Sequence, residues 1–241
     1  MPLNSAIVKR TKLTDAQKER MFLLHCRYFC NVQLDIFLRD LNEKDWVIML
    51  QDTGQLVGFS TQQVFRLDVA GVERIFLFSG DTIVEPQHWQ DSKLAGCFGH
   101  LMLRLINEYP VSSIYWLLIS KGFRTYRFLP VYFKRFYPVH NEKTPPEYED
   151  LMRTAARHKF EDAYDAGTGV VRLGRLGDRL NPEMCIIPAG REKDPHVRFF
   201  LARNPAFSEG DELVCLADVS RENLNQYAWR AIKHTTVDWH E

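Results

Sequence analysis

A chain of 241 residues is long enough for one large domain, or for one domain with a substantial extension. Hydrophobic residues make up 45% of the chain and aromatic residues 12%, which is enough for a sizeable core and excludes an intrinsically disordered protein. Lysine plus arginine and aspartate plus glutamate both number 31, so the net charge is zero and gives no support for a dedicated binder of nucleic acid or anionic membranes.

The cysteines and the N-terminus favour a reducing, cytoplasmic setting. The cysteine count is odd and no Cys-x-x-Cys pair occurs, so we expect buried free thiols at Cys26, Cys30, Cys97, Cys185 and Cys215. The first twenty residues lack the apolar region of a signal peptide, and no apolar run approaches the ~18 residues of a membrane span. We therefore expect no membrane span.

Apolar residues at strand or helix spacing predict five elements in the first 70 residues. They are a strand at 5–9, helices at 16–28 and 33–42, and strands at 46–52 and 55–68. Thr14 is a plausible N-cap of the first helix, although Lys18 stands where we would expect Glu or Gln in a complete capping box. Thr53-Gly54 predicts the tight turn of a hairpin.

The stretch from Arg74 to Phe136 is the most informative part of the chain. It predicts a strand, a polar turn, an amphipathic helix, a second buried strand and a segment rich in tyrosine. These elements cover 74–84, 85–94, 95–109, 112–120 and 121–136. A strand that leads into a helix N-terminus offers free backbone N–H groups and the positive end of the helix dipole to an anion. We therefore expect an anion site where this helix begins.

The last hundred residues predict further α and β elements. These are a polar helix at 147–164, strands at 197–203 and 213–219, and a helix after Ser220. No long flexible stretch precedes them, so we interpret residues 145–241 as a C-terminal helix plus strands packed on a first domain of residues 1–144. The long apolar strands predict an α/β fold whose sheet is covered on both faces.

The element order of the first 140 residues, β-α-α-β-β-β-α-β-α, resembles the GNAT (Gcn5-related N-acetyltransferase) superfamily and is similar to that of bacterial GNAT-like proteins. The resemblance implies a mixed central sheet flanked by helices, with acyl-CoA in an opening between two splayed strands. The family's phosphate-binding pattern is Arg or Gln, two residues, Gly, one residue, then Gly or Ala. Its nearest match here runs from Lys93 to Phe98, with Gly96 in place and Phe98 where a tiny residue is usual.

Transfer of an acyl group to an amine needs a base, donors that polarise the thioester carbonyl, and an acid for the leaving thiolate. The resemblance implies Asp81 or Glu85 as the base and Tyr132 or Tyr126 as the acid. Asp81 follows Ser79-Gly80, where we expect a bulge that splays the strand. The predicted binding residues for the acyl-CoA co-substrate are Thr82, Ile83, Val84, Lys93, Leu94, Ala95, Gly96 and Ser120. No metal is expected.

Each of these residues also has a purely structural interpretation. Asp81 suits a turn cap or an ion pair, Glu85 a solvated charge, and the tyrosines a core position with a polar handle. His88 suits either a base or a surface role, and His25 and His100 suit core positions. Five cations suit either a solvated helix face or a phosphate-bearing donor: Lys121, Arg124, Arg127, Lys134 and Arg135.

Two functions remain open at this point. The first is an acyltransferase that moves an acyl group from a CoA or carrier-protein thioester to a small amine acceptor. The second is a non-catalytic protein of the same fold that binds a ligand or a partner, which Phe98 in the phosphate turn favours. In that case the extension would supply a partner surface or a homodimer interface. We expect no nucleic-acid partner under either hypothesis.

Overall fold

One mixed β-sheet runs through the computed structural model, which describes residues 3–174 and 177–241. The strands are β1 (Asn4–Lys9), β2 (Phe29–Cys30), β3 (Trp46–Asp52), β4 (Gln55–Val69), β5 (Val72–Val84), β6 (Ile114–Ser120), β7 (Phe136–Tyr137), β8 (Tyr164–Asp165), β9 (Val170–Val171), β10 (Arg179–Leu180), β11 (Glu212–Asp218) and β12 (Asp238–His240). Their order across the large sheet is β12-β1-β3-β4-β5-β6-β11-β9-β8. The predicted α/β class with a mixed central sheet is confirmed.

Helices cover both faces of this sheet. They are α1 (Asp15–Tyr28), α2 (Leu34–Asn42), α3 (Lys93–Glu108), α4 (Phe123–Tyr126), α5 (Phe128–Tyr132), α6 (Pro146–Phe160), α7 (Pro195–Arg203) and α8 (Gln226–Lys233). Because successive strand residues face opposite sides, Val47 packs with α1 and α2 while Ile48 belongs to the core beneath α3. The predicted element order of the first 140 residues is confirmed, with the two-residue β2 added after α1.

The central strands β5 and β6 run parallel and then separate. Their pairing extends from Ile75–Ile114 to Ser79–Leu118, whereas β5 continues to Val84. The register of β5 against β4 shifts by one residue, so that Gly80 and Asp81 together stand opposite the single residue Thr61. This is a β-bulge, which bends the strand that carries the extra residue. The predicted bulge is confirmed, and β5 and β6 enclose an opening beyond it.

The C-terminal residues extend the same sheet at both edges. β11 lies antiparallel to β6 and carries β9 on its other side, while β12 lies parallel to β1. Side chains from both parts of the chain share one core, so Leu117 and Leu216 belong to the same hydrophobic cluster. Residues 145–241 therefore support one wall of the opening, because β11 pairs with β6 and β6 forms that wall.

Four local predictions need correction. The helix predicted after Ser220 as its N-cap begins at Gln226, and Asn225 caps it. Residues 197–203 form α7 and not a strand, because Asp194 caps the helix, Pro195 occupies its first turn, and Val197 and Phe200 are buried at helical spacing. The capping box of α1 is complete, since its partner is Gln17 and not the residue after it. The helix predicted to reach residue 164 ends at Phe160.

Two further predictions, the helix of the tyrosine-rich segment and the buried free thiols, are confirmed only in part. Pro130 lies in α5, and the segment forms two short helices, α4 and α5, in place of one long helix. All five cysteines are free, with Cys97 and Cys215 buried, two half-buried and Cys26 exposed. In the described ranges, no helix is both long and apolar enough to cross a membrane.

Candidate functional site

A cleft of about 610 Å³ occupies the opening between β5 and β6, a size typical of sites for small molecules. The end of β5 forms one wall, the first turns of α3 another, and the end of β6 with α4 and α5 the third. The lining residues used below are Ser60, Ser79, Thr82, Val84, His88, Trp89, Asp91, Leu94, Ala95, Phe98, Trp116, Arg124, Arg127, Tyr132 and Arg191.

The β5 wall presents backbone donors to the cleft. Glu85 N–H donates to the Val57 carbonyl of β4 at 2.9 Å. Successive residues of an antiparallel strand turn their N–H groups to opposite sides, so every second residue faces the same neighbour. Ile83 N–H therefore also faces β4, while the N–H groups of Thr82 and Val84 face the separated side. The side chain of Ile83 is buried in the core against α1 and α2. Of the β5 residues predicted to bind acyl-CoA, Thr82 and Val84 line the cleft, whereas Ile83 lies behind it.

A buried chain of hydrogen bonds fixes the floor of the cleft. Trp116 Nε1 donates to Ser79 Oγ at 2.9 Å, and Ser79 donates to Gln62 Oε1 at 2.8 Å. Gln62 Nε2 then donates to Ser60 Oγ at 2.7 Å, and Ser60 lies 2.6 Å from the Thr82 hydroxyl. Because each polar group is satisfied, the network holds β4, β5 and β6 in one arrangement at the point where they separate.

The start of α3 carries both donors and a carboxylate. Lys93 N–H donates to Asp91 Oδ1 at 2.7 Å, and Gly96 N–H donates to the Ser92 carbonyl at 2.8 Å. Leu94 and Ala95, from the same first turn, line the cleft. The predicted anion site therefore has the geometry of a helix N-terminus, but Asp91 brings negative charge to the place where a phosphate would bind.

Two residues of the phosphate-like motif have packing roles. A Cβ at Gly96 would stand 2.0 Å from Thr235 Oγ1, so the glycine permits α3 to approach the segment after α8. The Phe98 ring packs on Trp116 with a centroid distance of 4.7 Å and lies more than one turn into the helix. Phe98 thus forms part of the cleft wall, with its ring against Trp116.

The two candidate acids differ in access. Tyr132 lines the cleft, and burial, helped by the nearby Asp91 charge, raises the pKa of its phenol. Tyr126 is fully buried, its hydroxyl donates to the Pro138 carbonyl at 2.9 Å, and burial raises its pKa. Tyr132 is therefore the tyrosine that the structure brings to the cleft.

Two of the five predicted cations reach the cleft. Arg124 stacks on Trp89 with its guanidinium carbon 4.2 Å from a ring centroid, and burial lowers its pKa. Arg127 lines the cleft and pairs with Asp194 at 3.0 Å. Arg191, which the sequence did not single out, joins them from the extension. These three cations line the same cleft as the first turn of α3.

The other three cations point elsewhere. Lys134 donates to the Glu222 carbonyl and Arg135 pairs with Asp218, both away from the cleft. Lys121 lies at the end of β6 and turns to the opposite face of the sheet, where it pairs with Asp178. Ser120 is buried beside Cys215 and its carbonyl accepts from Asn204, so its side chain does not line the cleft.

A second group of polar residues lies on the α1 side of the same opening. The bulge turns Asp81 to this face, where its Oδ2 lies 3.6 Å from His25 Nδ1. His25 Nε2 lies 3.1 Å from Asp178 Oδ2, and Lys121 Nζ lies 2.6 Å from Asp178 Oδ1 and 3.4 Å from Glu212 Oε1. We call these five residues the acid–histidine cluster.

The protonation of this cluster follows from burial and pairing. Burial raises the pKa of Asp81, against a lowering effect of His25, and it raises the pKa of Glu212 to about 7. For Asp178 burial acts in the same direction, but the His25 hydrogen bond and Lys121 outweigh it and the pKa is lowered. For Lys121 the attraction of Glu212 and Asp178 outweighs burial and raises the pKa.

Of the remaining predicted residues, Glu85 and His100 are held by close polar partners, and His88 lies on the cleft. Glu85 accepts from Arg27 at 2.7 Å and from Gln87 at 2.8 Å, so both of its oxygens are engaged. His88 lines the cleft, with Nε2 3.9 Å from Asp52. His100 Nε2 lies within 3.1 Å of two backbone carbonyls near the C-terminus, as suits the predicted structural histidine.

His25 is buried as predicted, but its two nitrogens face carboxylates, which the sequence did not show. Its partner Asp178 lies 153 positions away, so no local spacing could have joined them. His25, Asp81 and Asp178 also lie close enough together to hold a cation. The Lys121 ammonium already occupies one Asp178 oxygen, so we interpret the group as a hydrogen-bonded cluster. The expectation that no metal is needed stays a prediction.

No family model matches the sequence, and no curated protein is similar to it at a significant level. A conserved protein of unknown function from Enterococcus faecalis, described as a probable N-acyltransferase, has a similar structure, with a TM-score of 0.43 and 14% identity over 55% of this chain and 33% of its own. A GNAT family N-acetyltransferase from Escherichia coli in complex with CoA gives a TM-score of 0.35 and 17% identity, over 50% of this chain and 65% of its own.

A GCN5-related N-acetyltransferase from Kribbella flavida gives a TM-score of 0.40 and 12% identity, over 56% of this chain and 34% of its own. The chain thus spans about a third of the length of the Enterococcus protein and of the Kribbella protein. Each of the three is described as an N-acetyltransferase or a probable N-acyltransferase. At TM-scores below 0.5 they carry no argument about function, and the fold assignment rests on the strand order and the divergence of β5 and β6.

Proposed function

We propose that the protein is an acyltransferase that moves an acyl group from a CoA thioester to an amine acceptor. One observation carries this proposal. The opening beyond Ser79 has a cleft toward which the N–H groups of Thr82 and Val84 are directed, and the Asp81 carboxylate lies on the opposite, α1 side of the sheet. A thioester and an amine can therefore approach the same strand from opposite sides, as a direct transfer requires.

The residues divide the reaction between them. The N–H groups of Thr82 and Val84 polarise the thioester carbonyl, which makes its carbon a better electrophile. Asp81 accepts a proton from the acceptor ammonium, and the amine nitrogen then attacks the carbonyl carbon. As the C–S bond breaks, Tyr132 donates its phenol proton to the sulfur. The raised pKa of Tyr132 keeps that proton in place at neutral pH.

The donor side of the cleft suits a phosphate-bearing thioester. Leu94 and Ala95 present the first turn of α3, and Arg124, Arg127 and Arg191 supply positive charge to the same cleft. The same groups serve the diphosphate of CoA or the single phosphate of a carrier-protein arm, and we take CoA as the first case. A cytoplasmic location and a homodimer stay predictions.

Asp91 favours the second candidate function, a binding protein of the same fold without catalysis. Its carboxylate already accepts the Lys93 N–H, so it competes with a phosphate for the helix start. In that case the cleft holds a ligand that is not a CoA thioester.

Isothermal titration with CoA and with acetyl-CoA, backed by the shift in melting temperature, separates the two functions. The acyltransferase proposal expects micromolar binding that Arg124→Ala weakens and Lys134→Ala leaves unchanged, because Arg124 lines the cleft and Lys134 does not. Binding heat and a melting shift that are both absent up to millimolar ligand would contradict the CoA proposal and favour the binding protein.

A further inference from the structure

The acid–histidine cluster contains a proton path that the proposed roles do not use. We propose that His25 and Asp178 form a relay behind Asp81, in which the proton that Asp81 takes from the acceptor passes to His25 Nδ1 while Nε2–H stays bound to Asp178. The inference rests on the proposed function, because acyl transfer to an amine is what releases the proton.

The first observation is an unsatisfied nitrogen. His25 Nδ1 is buried and has no hydrogen-bond partner among the described residues, although it faces Asp81 Oδ2 at 3.6 Å. The ring is held at its edges by Phe29 and Phe37, with centroid distances of 4.6 Å and 5.9 Å. A buried polar atom without a partner costs free energy, so its persistence in a fixed ring position points to a role in the reaction.

The second observation fixes which nitrogen carries the proton. Asp178 has a lowered pKa and is therefore ionised, so its oxygens only accept hydrogen bonds. Lys121 donates to one oxygen at 2.6 Å, and His25 Nε2 stands 3.1 Å from the other and must be the donor. In the neutral ring Nδ1 then holds the lone pair, directed at Asp81.

The third observation concerns access. Asp81 has 25% of its side chain exposed, whereas His25 has 4%. A substrate reaches Asp81 and not the imidazole, so His25 is a positioning and relay residue and Asp81 is the group that touches the acceptor. The step balances without a further reactant: an N–H bond of the ammonium breaks as an O–H bond forms on Asp81, and that proton then moves to Nδ1.

Charged groups from five parts of the chain surround Asp81 and the ring. They are Asp40 on α2 with Lys44 after it, Asp81 on β5, Lys121 after β6, Asp178 before β10, and Glu212 on β11. Lys44 pairs with Asp40 and Lys121 bridges Asp178 and Glu212, which leaves Asp81 and Asp178 in contact with the ring. The proton that moves to Nδ1 therefore lies between the ring and Asp81, with Asp178 on the opposite nitrogen, and Asp81 returns to its ionised state.

Long-range proton–nitrogen NMR of the ¹⁵N-labelled full chain tests the relay without any substrate. His25→Gln assigns the signals by their disappearance, and the proposal expects the tautomer with Nε2 protonated and Nδ1 bare. Asp178→Asn, whose amide can donate as well as accept, should reduce that tautomer. A ring protonated on Nδ1 when neutral would overturn the proposal, as would an Asp178→Asn spectrum with an unchanged tautomer. Binding of stoichiometric Zn²⁺ to Nδ1 in a titration would also overturn the proposal, because Nδ1 would then be a metal ligand.

Kinetics with acetyl-CoA and a simple primary amine that gives turnover supply the second readout. We expect His25→Gln and Asp178→Asn to lower kcat by about 10²-fold, near the lower end of general acid–base contributions, with the KM for acetyl-CoA unchanged. The acidic limb of the pH–rate profile should move in both variants, while the exposed His234→Gln keeps the parental profile. Parental kcat and pH profile in both cluster variants would overturn the relay. Absence of CoA binding in the titration would instead contradict the proposed function. The NMR experiment uses no CoA, so it would still test the tautomer of His25.

Discussion

Ser79 and Asp81 are two positions apart on β5 and nevertheless face opposite sides of the sheet. In a regular strand such residues share a face, but the bulge places Gly80 and Asp81 opposite the single residue Thr61. Ser79 therefore bonds Trp116 in the cleft, while Asp81 meets His25 on the other side. Under the proposed function, the bulge therefore lets one strand serve the acyl donor in the cleft and the amine acceptor on the α1 side.

Gly80→Ala tests how tightly the bulge is built. A Cβ at this position would lie 2.7 Å from Thr61 Oγ1 and 2.8 Å from Lys44 Cε. We expect a loss in the free energy of unfolding of about 1–3 kcal/mol, as in other overpacked sites, measured by chemical denaturation. The loss should shrink in a Thr61→Ala background, which removes the nearer atom. An equal loss in both backgrounds would contradict this packing.

Glu212 makes stability depend on pH. Its pKa rises from the ordinary 4.5 to about 7 because of burial, with Lys121 opposing. A carboxyl with a raised folded pKa contributes stability that is full below 4.5 and is lost as the pH rises to about 7. We expect the free energy of unfolding of the parent, relative to Glu212→Gln, to fall across this window. A difference that stays constant or rises from pH 4.5 to 7 would show that Glu212 titrates normally.

Asp91 should limit the affinity for CoA. Asp91→Asn keeps an acceptor for the Lys93 N–H and removes the negative charge at the start of α3. We expect tighter binding of CoA by about 1 kcal/mol, roughly fivefold in Kd, from the helix-terminus effect. The gain should diminish at high salt, because a partly exposed charge is screened. Titration calorimetry at two salt concentrations measures it, and weaker binding by the variant would place the phosphates elsewhere.

Substitution of Gly96 tests whether this glycine is needed for helix packing or for phosphate binding. Gly96→Ala puts a methyl group 2.0 Å from Thr235 Oγ1, so we expect it to lower the melting temperature. Thr235→Ala in the same chain removes the nearest atom but leaves Thr235 Cβ at 2.5 Å and the Ala231 carbonyl oxygen at 2.7 Å, so it should restore only part of the loss. The Kd for CoA should equal that of Thr235→Ala alone. If the double variant is stable and still binds CoA poorly, Gly96 serves the phosphate and not the packing.

The sequence predicted those features that local patterns encode. Long apolar runs and turn residues predicted the strands around the opening, and Ser79-Gly80 predicted the bulge. Residues 197–203 are apolar enough for a buried strand, and only the Asp194-Pro195 start distinguishes the helix that forms. The His25–Asp178 contact joins residues 153 positions apart, and the fit of Gly96 against Thr235 likewise depends on the tertiary fold.

The most direct test of the central claim measures thiol release from acetyl-CoA in the presence of simple primary amines. The parent, Asp81→Asn and Tyr132→Phe are compared, with Tyr227→Phe, an exposed tyrosine, as the control. The account predicts turnover by the parent and the control and a loss of about 10²-fold or more in each site variant, the scale of a general acid or base. Turnover at the parental rate by both Asp81→Asn and Tyr132→Phe would contradict it.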